Sequence, residues 1–151
     1  MSSSCKWYKT DDGKGMALWY KNTGPWWDST NLKPNDGISL EEERKDPNSL
    51  FNFYKKMIRL RQSTAALSNG SYQTLPNNNS KVLSFLKREK NTVCVMINLS
   101  GQMQKVILNF SKANVKVKSF AQLWGKNTAR ISGNSTSVRL PGFSMQVLEI
   151  R

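Results

Sequence analysis

The 151-residue chain contains no histidine. That absence excludes His-based catalytic triads and histidine-ligated zinc sites. Cysteine is nearly absent: Cys5 and Cys94 cannot build a disulfide framework. Cys94 lies within Val93-Cys94-Val95-Met96-Ile97, a buried strand by pattern, where a small apolar thiol is common. No apolar run approaches the length needed to span a bilayer. The opening Met1-Ser2-Ser3-Ser4-Cys5 lacks the apolar stretch of a signal peptide. Acids are few, 10 against 23 lysines and arginines, which leaves a net charge of +13.

Such a charge raises the question of nucleic acid. The cations are spread thinly, however. The densest group, Lys55, Lys56, Arg59 and Arg61, sits on the polar side of a predicted helix. Lys105, Lys112, Lys116, Lys118 and Lys126 are scattered among polar residues, with no Arg/Gly tract or aromatic-basic motif. The pattern reads as a solvated basic surface, with neither nucleic acid nor membrane as the expected partner.

What the chain does have is a change of rhythm near residue 67. Residues 1–45 are irregular, punctuated by glycine and proline, yet they hold Trp7, Trp19, Trp26 and Trp27, four of the five tryptophans. So aromatic a loop needs a partner surface or lines a ligand groove. Flat aromatic faces also match pyranose rings, which makes Trp19, Trp26, Trp27 and Asp28 the candidate sugar contacts. Residues 46–62 read as one amphipathic helix, with Asp46 as N-cap and Pro47 at the first helical position. Leu50, Phe53, Tyr54, Met57 and Ile58 recur at helical spacing on one face. Glu41, Glu42 and Glu43 precede it and read as solvated acids near a helix N-terminus. From Tyr72 the period becomes two. Strands are expected at 71–75, 81–88, 92–99, 103–110, 117–124, 136–140 and 143–150, separated by turns such as Pro76-Asn77-Asn78-Asn79 and Pro141-Gly142. Short strands at this spacing predict a mainly β fold, an antiparallel sandwich over 67–151.

Several motifs fall in a familiar order. Trp19-Tyr20, Gly24-Pro25 and Ile38-Ser39-Leu40-Glu41-Glu42-Glu43 are followed by Asp46-Pro47-Asn48-Ser49-Leu50, Phe53-Tyr54 and Ile58-Arg59-Leu60-Arg61. Ala65-Ala66-Leu67, Gly70-Ser71-Tyr72 and Val93-Cys94-Val95-Met96-Ile97-Asn98 complete the series. This resembles the C-terminal end of a bacterial α-amylase-family glycoside hydrolase. The resemblance implies that 46–62 is the last helix of a (β/α)8 barrel and 1–66 its remnant. It also implies that 67–151 is the Greek-key β-sandwich called domain C, and that 1–45 lies on the substrate side.

The family's catalytic carboxylates project from barrel strands that this sequence does not contain. No residue here inherits a catalytic role, and no metal or cofactor is expected. The chain alone is expected to be inactive, with the barrel as its partner, weak contact with α-glucan, and self-association through the exposed helix face as a further option. The parent reads as secreted or cell-surface, with the cytoplasm left open. Two other readings stand beside this one: a free-standing carbohydrate-binding sandwich, and a basic β-domain for nucleic acid.

Overall fold

The computed structural model describes residues 7–9, 37–126, 129–132 and 135–151. The chain divides into two compact units, Met1–Arg59 and Leu60–Arg151.

In the first unit, α1 (Leu40–Lys45) opens on a capping box. The Ser39 hydroxyl accepts the Glu42 N–H at 3.2 Å, and the Glu42 carboxylate accepts the Ser39 N–H at 3.2 Å. The helix ends at Asp46, whose backbone is extended and whose carboxylate accepts the Asn48 N–H at 2.8 Å. Asp46 therefore closes α1 and shapes a turn through Pro47. It does not cap a helix over 46–62, because its side chain is spent on its own turn. Ser49 starts α2 (Leu50–Ser63): its hydroxyl accepts the Asn52 N–H at 3.2 Å. Asn52 in turn donates its amide to the carbonyls of Glu43 and Asp46, at 2.9 and 2.8 Å. That satisfies groups which the end of α1 would otherwise leave open. A third helix, α3 (Ala65–Asn69), follows in the second unit. The predicted helix over 46–62 is thus α2, starting four residues later, and two short helices that the pattern did not show flank it.

The rest of the second unit is an antiparallel β-sandwich. Its strands are β1 (Ser71–Thr74), β2 (Val82–Arg88), β3 (Thr92–Asn98), β4 (Gln104–Asn109), β5 (Phe120–Trp124), β6 (Arg130–Ser132), β7 (Ser135–Leu140) and β8 (Met145–Ile150). One sheet runs β1-β2-β3-β8-β5 and the other β4-β7-β6. The three-residue β6 is the strand that two-residue periodicity misses, since Arg130-Ile131-Ser132 is too short to show a repeat and is exposed throughout.

The core follows from register. Leu86 pairs with Cys94, which pairs with Leu148. These residues and Met96 face Val106, Leu108, Val138 and Leu140 of the second sheet. Alternate residues of the same strands, Val93, Val95 and Val147, form a second cluster on the outer face with Ala66 of α3. The central strand β3 is buried on both faces. That is why its sequence is a continuous apolar run without alternation.

The turn Asn77–Asn79 ties the two sheets together. Asn77 bridges to Leu108, the Asn78 side-chain oxygen accepts the Ile107 N–H at 2.7 Å, and the Asn79 amide donates to Gln104 at 2.9 Å. Buried Asn98, opposite Val82 at the end of β3, does the same beside it. Its amide donates to the carbonyls of Gln102 and Pro141 at 2.7 and 2.8 Å, and its oxygen accepts the Ser100 N–H at 3.0 Å.

Candidate functional site

Trp19, Trp26, Trp27 and Asp28 lie outside the described residues. The chemistry of the described surface is therefore carried by other groups.

The three consecutive glutamates prove to be structural. Glu41 accepts the Lys9 N–H at 3.2 Å, which holds its carboxyl below the usual range, with Lys45 at 3.5 Å contributing further. Glu42 completes the capping box, and Glu43 accepts the Phe51 N–H at 3.1 Å at the start of α2. A carboxylate at a helix N-terminus meets free N–H groups and the positive end of the dipole. Glu42 and Glu43 are accounted for by the two helix starts, and Glu41 by the Lys9 N–H and Lys45. The expectation that they are solvated missed the cap because 1–45 reads as irregular, whereas 40–45 is a helix.

Two acids remain in the second unit, Glu89 and Glu149. Glu149 is held low by the Asn91 amide at 2.7 Å, and then by Arg151 at 3.3 Å. A retaining glycosidase sets two carboxyls about 5 Å apart across a sugar. Nothing among the described acids forms such a pair. Burial pushes the Cys94 thiol up to about 12, so this cysteine is a packing residue and no nucleophile. Among the described residues no group of acids or cysteines is placed to hold a metal ion.

An open recess of about 500 Å³ lies between the end of β4 and β7. Phe110, Val115 and Val117 floor it, and Ser111, Asn114 and Lys116 rim it. Its lining has no carboxyl, thiol or imidazole, so it can hold a small molecule but offers no general acid or base.

The remaining feature is an apolar face. In α2 no side chain is buried, and Leu50, Phe53, Tyr54 and Ile58 are exposed. An amphipathic helix normally covers that stripe. The sequence places these residues on one face by spacing alone, and the structure leaves that face open.

No family model matches the chain. It is 38% identical over 68 residues to α-amylase 3 of Dictyoglomus thermophilum, covering 44% of this chain and 14% of that protein. It is 31% identical over 127 residues to the oligo-1,6-glucosidase of Halalkalibacterium halodurans, covering 82% of this chain and 21% of the relative. The chain therefore spans about a fifth or less of the length of these relatives. Among solved structures, the α-amylase from H. orenii superposes with a TM-score of 0.66 at 23% identity, over 97% of this chain and 27% of that one.

Proposed function

Because the chain matches the C-terminal part of α-amylase-family glycoside hydrolases, we propose that it works as the helix-plus-sandwich end of an enzyme acting on starch or maltooligosaccharides. In this reading residues 1–66 belong to the end of a (β/α)8 barrel and 67–151 are its C-terminal domain. The role is structural: the sandwich closes its own core and supports the catalytic barrel through the helical segment.

The observation that carries the reading is α2. It has fourteen residues, an apolar stripe and no buried side chain, yet it leads directly into a sandwich whose core is complete. Burying one such side chain is worth about 1.5–3 kcal/mol. A free stripe is therefore a substantial liability, which a barrel packed against it removes. Trp19, Trp26, Trp27 and Asp28 are proposed as weak α-glucan contacts on the substrate side of that barrel.

The coding sequence upstream of Met1 is the test. Barrel strands bearing the family's carboxylates, in frame with this chain, support the reading; their absence from the locus overturns it.

A further inference from the structure

One end of the sandwich carries an apolar tip that a supporting role leaves unused. Leu99, Met103 and Phe143 are 62%, 68% and 78% exposed. They come from two connections, 99–103 between β3 and β4 and 141–144 between β7 and β8. These loops are locked together. The Phe143 N–H donates to the Ser100 carbonyl at 2.8 Å, and the Asn98 N–H to that of Ser144 at 2.9 Å. Asn98 bonds carbonyls on both loops. A side chain on Gly142 would collide with the Gly101 carbonyl, so the loops approach as closely as backbones allow.

Phe143 itself sits at a φ of 46°, the left-handed region that L-residues avoid. A residue persists there at a cost of about 1–3 kcal/mol only when surrounding bonds hold it. Here the conformation displays the ring instead of burying it.

A cationic collar surrounds the tip. Lys81 accepts the Leu99 N–H through its carbonyl at 2.9 Å. Gln104, which donates to the Ser100 hydroxyl at 3.0 Å, is followed by Lys105. Both lysines are exposed. The two acids of this unit are at the other end, Glu89 in the β2–β3 turn and Glu149 opposite Val93.

We propose that this tip docks on an anionic lipid surface, with Leu99, Met103 and Phe143 entering the interface and Lys81 and Lys105 meeting the headgroups. Inserted apolar side chains and neighbouring cations both contribute to binding such a surface, the first in proportion to the apolar area they bury. A stable protein interface buries about 800 Å² per partner, beyond the reach of three side chains. A second copy of the chain would bring two cationic collars together. A glucan has no use for Leu99 and Met103.

The test is co-sedimentation of the full chain with phosphatidylcholine vesicles, with and without one quarter phosphatidylglycerol. Binding is expected only with the anionic lipid, and weaker when salt rises from about 0.1 M to about 0.5 M. Phe143→Gly suits the local backbone, so it should stay folded and bind about tenfold less tightly. Lys81→Glu with Lys105→Glu should weaken binding about fivefold or more, while Tyr54→Ser with Ile58→Ser on α2 should not. Equal binding to both vesicles, loss of binding through the α2 pair instead, or no effect of Phe143→Gly in a folded variant overturns the proposal. So does dimerisation that Phe143→Gly abolishes in the absence of vesicle binding.

Discussion

The Asn98 amide donates to the Pro141 carbonyl at 2.8 Å, joining residues 43 positions apart across the end of the sandwich. The same side chain bonds the Gln102 carbonyl and the Ser100 N–H. Asn98→Ala would remove its bonds to both loops, leaving the Gln102 and Pro141 carbonyls only the Ser100 and Ser144 hydroxyls. We expect a loss of about 1–3 kcal/mol, measured by urea denaturation, since each hydrogen bond removed is worth about 0.5–1.5 kcal/mol net. A loss below about 0.5 kcal/mol would mean that the loops hold without it.

The core makes a graded prediction. Leu148 is fully buried between Cys94 and Gln122 in the central sheet, whereas Leu83 on the outer face is exposed. Leu148→Ala should cost about 2–5 kcal/mol. Leu83→Ala should stay within about 1 kcal/mol. Equal effects would contradict the assignment of faces in the five-stranded sheet.

Cys94 should be chemically silent while the protein is folded. With its thiol pushed up to about 12, only about one molecule in ten thousand is thiolate at pH 8. In a Cys5→Ser background, a disulfide reagent should label the chain only after denaturant is added. Rapid labelling of the native protein would show that the sheet opens at β3.

Stability should fall on acidification partly through Glu149. Its folded-state carboxyl is held low by Asn91 and Arg151. A depressed carboxyl contributes stability that is fully present above its unfolded value and is lost as pH drops through its folded value. Denaturation midpoints should therefore decline below about pH 5. Asn91→Ala should flatten that slope; an unchanged slope would assign it to other acids.

The chain by itself should release no reducing sugar from soluble starch, because no described carboxyls are paired across a groove. Release that scales with chain concentration would refute this. Maltoheptaose should quench tryptophan fluorescence only at about millimolar levels, near −4 kcal/mol of binding, since ordering a loop offsets what stacking gains. Micromolar saturation that survives Trp26→Ala with Trp27→Ala would place the sugar elsewhere.

The β-module was legible because its strands obey simple rules. Val82, Ser84 and Leu86 alternate inward, and Val93 to Ile97 is apolar throughout because both faces are covered. The helical segment was less so. Asp46-Pro47 satisfies every rule for a helix start, yet Ser49 takes that role because Asp46 already closes α1. Local preference cannot rank two good caps three residues apart; the bonds from Asn52 back to Glu43 and Asp46 decide. Phe143 was invisible for a related reason. A pattern rule places it at the start of an alternating strand, and only the backbone lock to Ser100 turns it outward.

The asparagine turn at 77–79 has a consequence for how the molecule behaves in a crowd. Every sheet that does not close into a barrel has rims where another chain can add itself, and long smooth rims seed fibres. Here β1 and β6 are short, β5 is interrupted by a shift in register between Gln122 and Trp124, and β4 is the longest rim strand. Asn77 and Asn78 occupy that rim from within the same chain, at Leu108 and Ile107. Asn77 and Asn78 thus stand between this sandwich and runaway strand addition, which makes their turn the guardian of colloidal behaviour as well as a link between sheets.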